Sequence, residues 1–115
     1  MKLKVGQFAR LKSGYICKII NINDFREPNM KYGVEANYLK DVMFIGDDDI
    51  VKASYNIIDI LEIGDYVNGN EIYKISWDSL GLILETTDFF KLREKDIKSV
   101  ITHEQMEQMA YKVGE

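Results

Sequence analysis

The chain has few of the residues that build cross-links and catalytic centres. Its 115 residues include one cysteine, one histidine, one tryptophan and one proline. A single cysteine cannot form an intramolecular disulfide, and Cys17 lies in an apolar, strand-like segment, which predicts a buried and unreactive thiol. A catalytic histidine needs a nucleophile or an orienting carboxylate, and no pattern brings His103 and Cys17 together. We predict no catalytic residue, no metal ligand and no cofactor, and therefore no enzyme.

The sequence also lacks long apolar runs and an excess of basic charge. No apolar run approaches the roughly 20 residues of a membrane span, and the opening M-K-L-K-V-G-Q has no apolar signal region. We therefore expect a cytoplasmic protein that does not bind a membrane. Hydrophobic residues make up 46% of the chain and charged residues 30%, as in ordinary globular domains. The formal net charge of −4 argues against a general nucleic-acid binder.

A pattern that occurs twice, at residues 4–19 and 62–75, is the main feature that is present. Each copy has an apolar residue before a glycine, an aromatic residue that opens a strand, a second glycine in a turn, and a Lys-Ile pair. In the first copy these are Val5-Gly6, Phe8, Gly14 and Lys18-Ile19. In the second copy they are Ile63-Gly64, Tyr66, Gly69 and Lys74-Ile75. Glycine accepts the positive φ that tight hairpin turns need. The pattern is typical of the opening hairpin of a small, bent β-barrel.

This repeat predicts a mostly β fold, either an SH3-like small barrel or two fused half-barrels. Thr102 and Gln105 have the spacing of a capping box, which predicts a short C-terminal helix. Tyr111 and Val113 are predicted to pack the tail onto the barrel. We predict one compact domain, residues 1–115, because neither copy alone could build much of a core. Whether the two copies form one barrel or two stays open.

Three consecutive aspartates, Asp47, Asp48 and Asp49, form the sharpest acidic cluster. Consecutive side chains point in different directions and no calcium-loop pattern is present, so we predict a solvated turn. An enzymatic alternative needs these carboxylates to meet Glu85 around a metal ion.

The segment from Asp24 to Lys40 has the weakest secondary-structure pattern and carries several aromatic residues. Connecting loops hold much of the binding function of proteins, and aromatic and arginine side chains dominate interface energies. We predict a partner-binding site in this segment, formed by the side chains of Phe25, Arg26, Tyr32 and Tyr38.

A second candidate surface is basic. Arg10, Lys12 and Lys18 occupy alternating positions of the first hairpin, where they could contact phosphate groups. A solvated strand face that protects a sheet edge explains the same residues. A nucleic-acid-binding module is therefore the first alternative to protein binding, and sequestration of a small ligand is the second.

Two further segments carry a resemblance. The first, N-I-I-D-I-L-E-I-G-D-Y-V-N-G, spans residues 56–69, and the second, D-I-K-S-V-I-T-H-E-Q-M, begins at Asp96 and is followed by Y-K-V at residues 111–113. Both segments resemble small, uncharacterised accessory proteins of phages and prophages of Gram-positive bacteria. The resemblance implies a phage-encoded accessory protein and transfers no active site.

The function that we predict is that of a non-enzymatic phage-type protein which binds a protein of its bacterial host. Small accessory proteins of phages often block host machinery, so inhibition of a bacterial defence system is one form that the resemblance implies. The sequence predicts neither the identity of the partner nor the oligomeric state.

Overall fold

The computed structural model describes residues 2–110 and 113–114, and in these residues the fold is mostly β. Contacts between residues divide the chain into two compact units, residues 1–60 and 61–115. Each unit contains a five-stranded antiparallel sheet. The prediction of a mostly β chain with a short C-terminal helix is confirmed, whereas the prediction of a single domain stays a prediction.

The first unit places its strands in the order β4-β3-β2-β1-β5. The strands are β1 Phe8–Leu11, β2 Ile16–Ile22, β3 Tyr32–Glu35, β4 Met43–Ile45 and β5 Ile50–Ser54. Short 3₁₀ turns occur at Pro28–Met30, Asp47–Asp49 and Ile57–Ile60. The β4 and β5 strands are the two edges, so the sheet is open in the residues that the structure describes.

The second unit places its strands in the order β10-β6-β7-β8-β9. The strands are β6 Tyr66–Val67, β7 Asn70–Asp78, β8 Gly81–Thr86, β9 Lys91–Leu92 and β10 Val100–Ile101. A 3₁₀ turn at Glu94–Asp96 precedes β10, and the helix α1, His103–Met109, follows it. Val113 is exposed rather than packed, so its predicted docking is wrong, and Tyr111 lies outside the described residues.

The two sheets follow the same plan, because the last strand of each unit pairs with the first and a 3₁₀ turn precedes that last strand. In each of these turns the last residue is an aspartate, and its carboxylate accepts the N–H of the residue that precedes the turn. The carboxylate of Asp49 accepts the N–H of Gly46 at 2.9 Å. The carboxylate of Asp96 accepts the N–H of Arg93 at 3.0 Å. The structural similarity therefore extends from the first hairpin to the five-stranded sheet of each unit.

The glycines at the start of the repeat have the same conformation and the same hydrogen bonds. Gly6 and Gly64 have φ of 97° and 98°, a region that glycine enters without strain. The N–H of Gly6 donates to the carbonyl of Ile19 at 2.8 Å, and that of Gly64 donates to the carbonyl of Ile72 at 2.9 Å. These bonds place Ile72, rather than Ile75, at the position of Ile19. The turn between β6 and β7 is shorter than the turn between β1 and β2, so the returning strand is reached sooner.

Two local predictions are confirmed. Asn68 and Gly69 both have positive φ, 52° and 87°, and connect β6 to β7 as a two-residue hairpin turn. Thr102 caps α1, because its hydroxyl accepts the N–H of Gln105 at 3.2 Å and the Gln105 side chain accepts the N–H of Thr102 at 3.0 Å.

No helix among the described residues is long and apolar enough to cross a membrane.

Cys17 lies in the core of the first unit, where its Sγ donates to the carbonyl of Ala9 at 3.8 Å. The core side chains are those of Ala9, Leu11, Cys17, Ile19, Tyr32, Val34, Ile45 and Ile50. Burial raises the pKa of the Cys17 thiol to about 12, because the thiolate would be poorly solvated. The prediction that this thiol is buried is confirmed.

We expect the Cys17 thiol to be unreactive in the native protein. At pH 8 the thiol stays protonated and covered, so Ellman's reagent should label it only when the first unit opens. The rate of labelling is measured in buffer and in denaturant, with free cysteine as the reactive control. Stoichiometric labelling within seconds under native conditions would contradict this result.

Candidate functional site

The predicted partner segment contains one fully exposed aromatic residue, Phe25, with an exposure of 100%. Its N–H donates to the side chain of Asn23 at 2.9 Å, which fixes the turn that carries it. Tyr38 is partly exposed, and its ring lies against the ring of Tyr15 with 4.8 Å between centroids. Phe25 is therefore free for a partner, whereas Tyr38 presents only part of its ring.

Tyr32 does not belong to this surface, which corrects the predicted site. Its exposure is 1%, because it lies in β3 between β2 and β4. Its hydroxyl donates to the carboxylate of Asp47 at 2.6 Å. Burial first, and then this bond to Asp47, raise the pKa of Tyr32. Gly33 interrupts the apolar alternation of this segment, so the sequence pattern does not show which way the Tyr32 side chain faces.

Arg26 is held against the outer side of the first sheet. Its guanidinium carbon lies 4.5 Å from the centroid of the partly exposed Phe44 ring, and Nη2 donates to Asn21 at 2.6 Å. Within the described residues, its buried Nη1 has no hydrogen-bond partner. Phe25 and Arg26 therefore lie at one end of a small cationic and aromatic patch on the first unit.

The predicted basic surface is not formed as expected, because Arg10 is buried with an exposure of 1%. Its Nη1 donates to the carbonyl of Ile60 at 3.2 Å. Lys12 and Lys18 are exposed, and the Lys18 ammonium lies 5.7 Å from the ring of Phe8. The pairing of β1 with β5 shifts register after Arg10, which breaks the simple alternation that the prediction assumed. Arg10 is thus a structural residue and not a phosphate contact.

The acidic residues of the enzymatic alternative have structural roles. The Asp47 and Asp49 carboxylates bind the Tyr32 hydroxyl and the Gly46 N–H. The Glu85 carboxylate lies 3.6 Å from the ammonium of Lys74. The three aspartates are exposed in a 3₁₀ turn, as expected for a solvated turn.

The second unit presents a turn with two exposed phenylalanines, Phe89 and Phe90, which we define as residues 86–90 and call the aromatic turn. The N–H of Phe89 donates to the carbonyl of Thr86 at 2.9 Å, and the N–H of Thr86 donates to the carbonyl of Phe90 at 3.2 Å. The Asp88 carboxylate accepts the Thr86 hydroxyl and, at 3.0 Å, the amide of Asn70. The aromatic turn is therefore held by a network of its own.

Phe89 has an unusual backbone conformation in this turn. Its φ is +68°, and in turns of this hydrogen-bonding pattern that position usually holds glycine. The left-handed conformation costs a bulky residue roughly 1–2 kcal/mol. The side chain gains little packing in return, because its exposure is 89%. The fold thus carries a strained residue that displays a phenyl ring to solvent.

A groove with three lysines adjoins the aromatic turn, and we call it the lysine groove. It is open, has a volume of about 710 Å³, and is lined by Asn68, Phe90, Lys91, Leu92, Lys95, Asp96, Lys98 and Ser99. The Asn68 side chain donates to the carbonyl of Asp96 at 2.9 Å and accepts the N–H of Lys98 at 2.8 Å. These bonds fix the backbone of the groove.

The lysine ammoniums of this groove are available. Within the described part of the chain, Lys91, Lys95 and Lys98 form no ion pair with a carboxylate. The Asp96 carboxylate is bonded to the Arg93 N–H. The groove therefore combines an apolar ring, that of Phe90, with three lysines and one aspartate, which is a net positive charge. The sequence signal of this groove is two adjacent phenylalanines after Asp88, followed by Lys91, Lys95 and Lys98.

The tip of the β7–β8 hairpin also exposes large apolar side chains, those of Trp77 and Leu80. Arg93 binds this tip, because its Nη1 donates to the Asp78 carboxylate at 3.1 Å. The same carboxylate accepts the N–H of Leu80 at 2.8 Å. The Arg93 guanidinium lowers the pKa of Asp78. The carboxylate would therefore be protonated, and the tip released, only at a pH below the ordinary range of aspartate pKa values.

One group of side chains in the second unit has the composition of a metal site. The Nε2 of His103 lies 3.1 Å from Oε1 of Glu62 and 3.0 Å from Oε1 of Glu104. All three side chains are partly exposed. Their spacing in the sequence gives no signal of this group, because 41 positions separate Glu62 from His103 and neither lies in a metal-binding motif.

No family of known proteins, no curated protein and no solved structure matches the chain significantly.

Proposed function

We propose that the chain is a non-enzymatic interaction protein that binds a protein partner through the aromatic turn and the lysine groove of its second unit. The observation that carries the proposal is Phe89, which is strained and exposed at once. Backbone strain is retained mainly where it serves a function, since selection otherwise removes it. The resemblance to phage accessory proteins supports a host protein as the partner and inhibition of a defence system as the effect.

The fold that we propose for each unit is SH3-like. In both sheets the fifth strand pairs with the first, and a 3₁₀ turn leads into that fifth strand. This order supports a tandem of two SH3-like units, in line with the fused half-barrels expected from the repeat. Such folds serve many functions, so the proposal of protein binding depends on the surface and not on the fold.

The chemistry of the surface favours an acidic protein over a nucleic acid. Residues 61–115 hold six basic and eleven acidic side chains, a formal charge of −5 that repels an extended polyanion. A local groove of three lysines can still bind a few carboxylates. Burial of a phenyl ring contributes about 1.5–3 kcal/mol to binding, and exposed aromatic residues are frequent interface anchors. A folded partner with an acidic rim around an apolar pocket fits both features.

Substitution of Phe89 by glycine should separate binding from stability. F89G removes the exposed ring and relieves the left-handed strain, so we expect the free energy of unfolding to rise by about 0.5–1 kcal/mol. Denaturant unfolding measures this gain. Binding of the partner should weaken at least tenfold, because the anchor is lost. A variant that is less stable than the wild type would show that the ring packs in the native state.

The binding test uses the purified full chain to capture proteins from a lysate of a Gram-positive host, with and without nuclease treatment. Wild type, F89G and a double charge reversal, K91E with K95E, are compared. F25S is the control, because Phe25 is also a highly exposed phenylalanine and lies in the first unit. We expect one protein to bind wild type and F25S and to be lost from the other two.

Three results would contradict the proposal. If F89G retained the same protein, the aromatic turn would not be the binding surface. If F25S alone lost it, the predicted segment around Phe25 and Arg26 would be the site instead. If retention disappeared on nuclease treatment and fell steeply with salt, the ligand would be a nucleic acid.

A further inference from the structure

The geometry points to a site for a divalent transition-metal ion, formed by Glu62, His103 and Glu104. Zn²⁺ is the ion that suits these donors and that serves as the probe. The imidazole Nε2 lies 3.1 Å from one carboxylate oxygen and 3.0 Å from the other. The three donor atoms lie within 4.8 Å of one another. One nitrogen and two carboxylate oxygens form a donor set that suits zinc and its neighbours in the first transition series.

The spacing of the donors fits an ion between them. A Zn²⁺ ion bonds nitrogen and oxygen donors at about 2.0–2.2 Å, which places neighbouring donors about 3.0–3.5 Å apart. Both distances from the imidazole nitrogen come within this spacing with little side-chain movement. The three protein donors leave at least one position for water or for another ligand.

An ion pair of protonated His103 explains this arrangement less well. An imidazolium has one N–H at Nε2, and here two carboxylates approach that single nitrogen. The two carboxylates also repel each other, and a divalent ion would compensate both of them. The metal site accounts for the convergence of both acids on one atom.

The backbone of the site is fixed by a buried carboxylate, Asp65, with an exposure of 0%. One Asp65 oxygen accepts the N–H of Glu62 at 2.7 Å, and the other accepts the N–H of His103 at 2.9 Å. The same residue thus connects the two segments that supply the donors. Asp65 therefore sets the distance between the two backbone segments that carry the donors.

The start of α1 fixes the positions of His103 and Glu104. Thr102 caps the helix, so His103 and Glu104 occupy its first two positions. Gly64 lies under the imidazole, and a Cβ built on it would stand 3.6 Å from the His103 Cβ. The histidine therefore packs above the tight turn that follows Glu62, and its ring faces the Glu62 carboxylate.

The test titrates tag-free, metal-free full chain with zinc chloride at pH 7. The chain contains a single histidine, so its imidazole carbon-bound protons are unique NMR reporters of His103. We expect one equivalent of Zn²⁺ to shift these resonances, and calorimetry to give a dissociation constant in the micromolar range. The variants E62Q and E104Q should bind at least tenfold more weakly, and H103A should lose the site.

The matched control is E107Q, an exposed glutamate of the same helix outside the donor set. It should bind zinc as the wild type does. Circular dichroism establishes whether each variant is folded. If E62Q does not fold, E104Q alone tests the role of the carboxylates. Zinc binding that H103A leaves unchanged would place the ion elsewhere and overturn the proposal. Absence of zinc binding up to millimolar concentration, or binding of calcium in preference to zinc, would also overturn it.

Discussion

Substitution of Arg10 by alanine should destabilise the first unit by about 3 kcal/mol. The change removes a large side chain from the interior and leaves a cavity. It also removes the donor that binds the carbonyl of Ile60 at 3.2 Å, so that a buried acceptor loses a partner. Denaturant unfolding measures the loss directly.

A second measurement uses the neighbouring thiol. Cys17 pairs with Ala9 in the register of β1 and β2, next to Arg10. A loss of 3 kcal/mol corresponds to roughly a hundredfold increase in the open population, and the labelling rate of Cys17 should rise by that factor. Lys12→Ala is the matched control, because Lys12 is an exposed basic residue of the same hairpin. If both variants were equally stable, Arg10 would not hold the structure together, and its predicted role in binding would need to be tested again.

Substitution of Asp65 by alanine should have an effect of similar size on the second unit. Its carboxylate accepts two backbone N–H groups, at 2.7 and 2.9 Å, and bonds from ionised acceptors are the stronger class. Their loss leaves the N–H groups of Glu62 and His103 without this acceptor, which costs about 3 kcal/mol in total. The free energy of unfolding from denaturant titration is the measurement.

The amide variant D65N distinguishes charge from shape. Asparagine keeps one carbonyl acceptor and replaces the other oxygen by a donor that faces an N–H. We expect D65N to be destabilised nearly as much as D65A, because that contact becomes repulsive. An exposed aspartate of the same unit, Asp88, is not a suitable control, since it holds the aromatic turn. Glu107→Gln serves instead, and it should leave stability unchanged within about 0.5 kcal/mol.

The repeat could be predicted from the sequence because its conformational requirements are local. Gly6 and Gly64 need positive φ, and the Asn68-Gly69 turn fixes a hairpin by itself. The position of the second Lys-Ile pair was not predictable in the same way. Register depends on the length of the preceding turn, and a change of turn length moves Ile72 to the place that the sequence comparison gave to Ile75.

The candidate sites were harder to predict, because they depend on which side of the sheet a residue faces. Tyr32 and Arg10 are polar or aromatic residues that look exposed in the sequence, yet each is buried with its polar atoms bonded. Phe89 is the opposite case, an apolar residue that the turn places in solvent. Hydrophobicity alone assigns all three to the wrong environment, since a turn or a bulge decides the direction of the side chain.

The pairing of the first strand with the last has a consequence for how such a chain can be rearranged. Phe8 opens the first strand of one unit and lies opposite Ser54, at the end of its fifth. Tyr66 and Ile101 hold the same positions in the other unit. The sheet of each unit therefore begins and ends at adjacent points on neighbouring strands. Circular permutation of either sheet, or its insertion into a loop of another protein, would need only a short linker, because the first and last strands of the sheet lie side by side.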